Sequence, residues 1–151
     1  MPSRPWNPGV TVAAVIERGG HFLVIEEADG EQTVFNQPAG HWEPGETLVE
    51  ACARETLEEA AHVFLPTRLV GIYHWLHPQT AKTFLRFAFS GAAGADVAGR
   101  VLDQGIVRAL WMTAEELRAQ APRHRSPLVM RCIDDYLAGR SHPLDLIAHV
   151  Q

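Results

Sequence analysis

Residues 40–61 read GHWEPGETLVEACARETLEEAA, and this stretch decides the fold. Thr47 and Glu50 make a T-x-x-E capping box, which predicts a helix beginning after Thr47. Pro44 and Gly45 supply turn chemistry just ahead of it. At about 100° per residue, Glu55, Glu58 and Glu59 fall within an arc of roughly 100°, with the small Ala51 one turn earlier in the same sector. Val49, Cys52, Ala53, Thr56, Leu57 and Ala60 form a mostly apolar stripe on the opposite side, predicted to lie on a core.

Three carboxylates at helical spacing repel one another, and in a last turn they also oppose the helix dipole. Arg54, with Glu50 placed to pair with it at i,i+4, offsets only part of that. Two explanations stand on spacing alone. The face is a solvated acidic surface, or a hard, oxygen-preferring cation such as Mg²⁺ sits among the carboxylates.

The wider pattern separates them. Gly40, Glu46, Arg54, Glu55, Glu58 and Glu59 hold six fixed positions at irregular spacing, and here the chain resembles the Nudix hydrolase family. That family's box is G-x5-E-x7-R-E-U-x-E-E-x-G-U, with U aliphatic. Three positions depart from it: Thr56 and His62 stand where an aliphatic residue is usual, and Ala61 stands for Gly. A helix commonly ends on a left-handed Gly, where Ala costs steric energy, so the helix is predicted to end differently, with Pro66 as the firmer stop. Beyond the box, residues 36–51, HWLHP at 74–78, FLRFAF at 84–89, RSPLV at 125–129 and PLDLI at 143–147 resemble one bacterial phosphatase subfamily.

The resemblance implies an α+β chain folded as an α/β/α sandwich with a mixed central sheet. It implies metal-dependent hydrolysis of phosphoanhydrides with Mg²⁺ or Mn²⁺, in nucleoside tri- or diphosphates or the pyrimidine pyrophosphate precursor of thiamine, with release of orthophosphate. Glu55, Glu58 and Glu59, with the carbonyl of Gly40, are then the metal ligands. Arg54 orients the glutamates by bidentate pairing, with Glu46 as a partner, or serves only to pin the helix. Relatives place a further carboxylate just before the strand ending at Trp111; the corresponding position is Gly105, and Asp103 is the nearest carboxylate. Either Asp103 or a helix glutamate is the general base. Release of pyrophosphate by the same site, and a non-catalytic nucleotide sensor, are the rival readings.

Composition agrees with one domain over residues 1–151 that has a real core: 46% of residues are hydrophobic and 21% charged. A formal net charge of −5 argues against a nucleic-acid partner and for cations between the protein and any polyphosphate. The partner is thus a small molecule, with monomer and dimer both open. Cys52 and Cys132 have no metal spacing and make no disulfide framework, which predicts a reduced, cytoplasmic chain. No apolar h-region or membrane-length run is present.

In chain order, residues 1–9 are predicted to be a loose arm. Residues 10–17 and 22–26 read as a hairpin around Arg18-Gly19-Gly20-His21, and 33–37 as a short strand. Residues 68–76 and 83–89 are two antiparallel strands, with Leu85, Phe87 and Phe89 on one face and Phe84, Arg86 and Ala88 on the other. The Gly/Ala-rich stretch 90–100 reads as a flexible loop, because it lacks the G-K-[ST] ending of a phosphate cradle. Residues 106–112 form a strand with Trp111 in the core, and Thr113 caps a helix that Pro122 ends. The last helix, 126–137, has Pro127 at its first position and Gly139 past its end. Substrate contacts are sought at Asn36, Trp42, Trp75, Phe84, Arg86 and Arg125. Arg86 near Phe84 and Trp75 makes a phosphate and ring-stacking site or, alternatively, a solvated arginine on an edge strand.

Overall fold

The run VTVAAVI at 10–16 is apolar on both faces, and both faces are covered. In the computed structural model, which describes residues 5–151, it forms β1 (Gly9–Val15) with a neighbouring strand on each side. The sheet order is β5 (Ala39–His41), β1, β7 (Thr83–Asp96), β6 (His62–Leu76), β9 (His142–Pro143). β1 and β7 run parallel and the other pairs antiparallel, so this sheet is mixed. A second, antiparallel sheet joins β2 (Glu17–Arg18), β4 (Gln32–Asn36) and β8 (Ile106–Thr113) to β3 (His21–Asp29).

Strand alternation sends successive side chains into two cores. Val12, Ala14, Ile16, Leu23 and Ile25 pack toward helix α1 (Leu48–Ala60), against Ala51, Cys52 and Ala60. Val15, Phe22 and Val24 pack the other way, toward α2 (Ala114–Ala119) and α3 (Leu128–Leu137), against Leu117, Val129 and Ile133. Helices on both faces of the sheet layer give the expected sandwich. Phe87 and Phe89 point to the α1 side and Ala88 to the α3 side, as the alternation predicted.

α1 begins where the capping box placed it, with Thr47 and Glu50 bonded reciprocally. It ends at Ala60, and Ala61 adopts the left-handed conformation (φ 53°, ψ 36°) that a glycine would take. Pro66 is therefore not the stop; it lies inside β6, at a register shift where the lost N–H is tolerated. Most carbonyls at this helix end find a named partner. Leu57 O accepts from Ala61 N (3.1 Å), Glu58 O from Asp103 N (3.0 Å) and Ala61 O from Val97 N (2.7 Å), while the His62 ring meets Ala60 O at 2.6 Å. The two departures from the aliphatic pattern find polar work: His62 at this carbonyl, and Thr56 through a bond to Cys52 O (2.8 Å).

Other expectations are corrected. Residues 10–17 and 22–26 do not form one hairpin; only the short β2 pairs with β3, because the chain leaves the first sheet at Ile16 and enters the second. The stretch 90–96 is strand, not loop. Its glycines let β6 approach closely, since a Cβ on Gly91 would strike the Leu65 carbonyl oxygen. The arginine strand β7 is interior, with β1 and β6 on either side, which overturns the solvated-edge reading of Arg86. Pro127 occupies the N-cap of α3, not its first turn. Of the arm, residues 1–4 lie outside the described residues, 5–8 carry no helix or strand, and Gly9 already belongs to β1. No described helix is long and apolar enough to cross a membrane.

Candidate active site

Arg54 organises the box. Its Nε and Nη2 donate to Glu46 Oε2 (2.9 Å) and Oε1 (2.8 Å), a bidentate fork. Nη1 donates to Glu55 Oε1 (2.9 Å) and Glu58 Oε2 (3.2 Å), and Nη2 also reaches the His41 carbonyl (3.1 Å). One guanidinium thus ties the loop, the strand end at β5 and two helix glutamates into a single geometry. The expected Glu50–Arg54 pair does not form, because Glu50 is used in the cap. The fork holds the Glu46 carboxyl below its ordinary range.

The glutamates do not share one environment. Glu55 and Glu59 are buried beside Ala51 and Cys52, while Glu58 is half-buried. Helix α1 therefore buries an edge of its acidic face, and Ala53 and Leu57 of the expected apolar stripe are only partly covered. Single carboxylate oxygens of Glu55, Glu58 and Asp103 lie within 4.8 Å of one another. Glu59 stands outside that trio, with its Oε1 accepting from Ala39 N at 2.8 Å. Burial raises the Glu55 pKa against the pull of Arg54. Burial likewise pushes Glu59 up to about 8; the Ala39 N–H works against this, and Glu55, Glu27 and Asp103 add repulsion.

Gly40 is the point where β5 meets α1. A Cβ there would overlap the Glu55 carboxyl group, so only glycine lets strand and carboxylate come this close. Gly105, the position where relatives carry a carboxylate, has φ +91° in a turn whose carbonyl accepts from Ala28 N (2.7 Å). Asp103, two residues earlier, is instead drawn to the helix by its backbone bond to Glu58 O.

A cavity of about 450 Å³ opens beside Gly40. It brings together five of the sequence-predicted contact residues with Gly40: Asn36, Trp75, Phe84, Arg86 and Arg125. Trp75 and Phe84 are cross-strand partners with ring centroids 5.7 Å apart and planes 26° from parallel. Arg86 is only 6% exposed and donates to Gln37 Oε1 (3.1 Å) and Asn36 Oδ1 (3.4 Å). Arg125 lies 3.6 Å from Glu27 and 3.9 Å from Asp29, both on the cavity wall. Trp42 does not line this cavity; its indole donates to Glu46 O (2.7 Å) and its ring is half exposed over the loop. Sequence reasoning gave no site role to Glu27, Asp29 or Lys82, and it read Gln37, like Asn36, as either a loop amide or a ligand contact. Gln37 stands between Asn36 and Pro38 at a strand end, where no periodicity marks which amide turns inward.

The site thus combines a helix end with converging carboxylates and, across Gly40, a cavity lined by aromatic and cationic side chains. The chain belongs to the Nudix hydrolase family: the model of the NUDIX domain matches residues 5–132. It is 40% identical over 142 residues to the phosphatase NudJ of Escherichia coli K12, covering 94% of this chain and 92% of that protein. A solved NUDIX hydrolase from Nitrosomonas europaea superposes with a TM-score of 0.93 at 51% identity, covering 95% of this chain and 98% of the other. A MutT NUDIX hydrolase from Burkholderia pseudomallei, at 17% identity and TM-score 0.71 over 85% of this chain and 98% of the other, shares the fold.

Proposed function

We propose that this protein is a divalent-cation-dependent phosphatase that hydrolyses the terminal phosphoanhydride of nucleoside tri- or diphosphates or of the pyrimidine pyrophosphate precursor of thiamine, releasing orthophosphate. The observation that carries the reading is the convergence of Glu55, Glu58 and Asp103 oxygens, with the Glu55 carboxyl packed against Gly40, which lines the cavity. The donor set fits a hard cation, since it is made of carboxylate oxygens with no sulfur or imidazole among them. Glu55 and Glu58 would hold Mg²⁺ or Mn²⁺, with Glu59 and the Gly40 carbonyl as the further candidate ligands and Asp103 completing the oxygen cluster on its exposed side. Bound there, such an ion lowers the pKa of water and offsets charge on phosphate oxygens.

The protein's own residues supply position. Arg54 fixes Glu55 and Glu58 through one nitrogen while its other two are held by Glu46, so neither glutamate can rotate away without breaking a charge-assisted bond. Asp103 is the exposed member of the trio and sits on a loop, which suits it to take a proton from water entering from solvent. The similarity to phosphatase NudJ supports attack at the terminal phosphorus over release of pyrophosphate. The family match over 5–132 supports one domain, and two buried free thiols, Cys52 and Cys132, suit a reducing cytoplasm.

The test is turnover of a substrate panel with Mg²⁺ or Mn²⁺, scoring phosphate and pyrophosphate separately, on wild type, Glu58→Gln and Asp103→Asn. Cation-dependent phosphate release that falls by orders of magnitude in Glu58→Gln, with circular dichroism unchanged, is expected. Pyrophosphate as the main product would move cleavage one phosphorus inward, and binding without turnover would make the chain a sensor.

A further inference from the structure

Arg86 is an anomaly of the α3 side of the sheet. The residue is 6% exposed, and although its charge reaches Glu27, no described carboxylate lies in ion-pair contact with it. Among the described residues, its Nε is the one buried side-chain nitrogen or oxygen without a hydrogen-bond partner. A buried cation without a counter-charge costs several kcal/mol in general, and such groups are ordinarily paired. Its acceptors are neutral amides, and they are themselves fixed: Gln37, 1% exposed, donates through Nε2 to Val129 O at 2.6 Å. The chain has therefore built a rigid seat for a positive charge, with one donor unused and no carboxylate in direct contact with it.

The seat faces the cavity. On one side lies Gly40, against which the Glu55 carboxylate rests; on the other lies the Trp75–Phe84 stack. Arg125, the other guanidinium on the wall, is already engaged by Glu27 and Asp29. We infer that Arg86 is the specificity determinant for the phosphate that the leaving group keeps, acting beside the Trp75–Phe84 stack on the same cavity wall. The substrate's ring lies on Trp75 and Phe84, the retained phosphate meets the outer face of the Arg86 guanidinium, and the terminal phosphorus reaches the carboxylates past Gly40. This role rests on the phosphatase reading above. The anion supplies the direct charged partner that no described residue gives Arg86.

The experiment needs no turnover. With excess EDTA present, calorimetry compares a nucleoside monophosphate with its nucleoside, using cytidine and adenosine pairs. Wild type is expected to bind the monophosphate roughly 10- to 100-fold more tightly, the range for hydrogen bonds to a charged partner. Arg86→Met is expected to erase that ratio, Arg86→Lys to keep part of it, and Trp75→Ala to weaken both ligands while leaving the ratio intact. Equal affinity of wild type for the two ligands, or binding of neither, overturns the inference without any variant. So does an unchanged ratio in folded Arg86→Met. A wild type that prefers the monophosphate but releases no phosphate with Mg²⁺ keeps this inference and loses the phosphatase reading; turnover with equal binding does the reverse.

Discussion

Replacing Gly40 with Ala adds one methyl carbon where β5 comes nearest α1. That carbon would lie closer than 3.0 Å to all three atoms of the Glu55 carboxyl group, whereas ordinary contact begins near 3.4 Å. The carboxylate must therefore retreat by about 1 Å. Retreat is possible, because the group is the end of a flexible side chain, but it stretches the 2.9 Å bond to Arg54 Nη1 and breaks the convergence with Glu58 and Asp103. A misplacement of about 1 Å at a reacting centre costs on the order of 10²-fold in rate, or about 2.7 kcal/mol. Loss of one charge-assisted bond in a partly solvated setting costs about 1–2 kcal/mol of stability, a fall of roughly 2–8 °C in Tm. The Gly40 carbonyl is retained, so only the steric term is probed. Stopped-time phosphate release with Mg²⁺ measures the rate, and a thermal melt confirms folding. The double variant Gly40→Ala/Glu55→Asp shortens the crowded side chain and is expected to lose less than the two single effects combined. Folded Gly40→Ala that turns over at the wild-type rate would refute the reasoning.

Three further outcomes are expected. Ala61→Gly relieves the left-handed C-cap at φ 53° and should stabilise by about 0.5–1 kcal/mol, read as a rise of roughly 1–4 °C in Tm; a fall in Tm would sink the cap argument. Arg54→Lys replaces a fork with a point charge and is expected to lower turnover by roughly 10- to 100-fold while leaving most helix signal, because Glu46, Glu55 and Glu58 can no longer be held together. Glu26 tests acid stability away from the site. The Thr33 hydroxyl, then Arg108 and Arg123, hold its carboxyl down to about 2 against the effect of burial. A depressed carboxylate adds stability that is fully present above its ordinary value of 4.5 and is lost as pH falls toward 2. The linkage amounts to about 3 kcal/mol, reduced to about 1–2 by solvent screening of the exposed arginines. Urea melts of wild type and Glu26→Gln should differ by that amount at pH 7 and converge near pH 2; a gap that persists at pH 2 would assign the effect to packing.

The helix, its cap and the identity of the box were legible because each rests on neighbours within one or two turns. Thr47, Glu50 and the Arg54–Glu46 fork act over at most eight positions, and the sequence shows that spacing directly. The strand cores at 10–16 and 22–25 were legible as apolar runs, but their pairing was not. Which sheet a strand joins is settled by partners as distant as Phe84–Ser90, more than seventy positions along the chain. The burial of Arg86 was hidden for the same reason: the alternation assigns it a face, and only the placement of β1 and β6 on either side makes that strand interior. The 90–96 stretch misled because small residues mark both loose loops and strands whose backbones need close approach. Asp103 was found by proximity to a family position, yet what brings it to the glutamates is a backbone bond that no side-chain pattern encodes.

That bond has an architectural consequence. The connection from β7 to β8 hangs from two carbonyls at the C-terminal end of α1, Ala61 O receiving Val97 N and Glu58 O receiving Asp103 N. Between these pegs, residues 98–102 are mostly exposed and none of them lines the cavity beside Gly40, so their length is free to vary. A graft or insertion there would lengthen this connection while the Asp103 backbone stayed pinned to the helix, giving a port for new recognition elements that leaves the acidic trio in place.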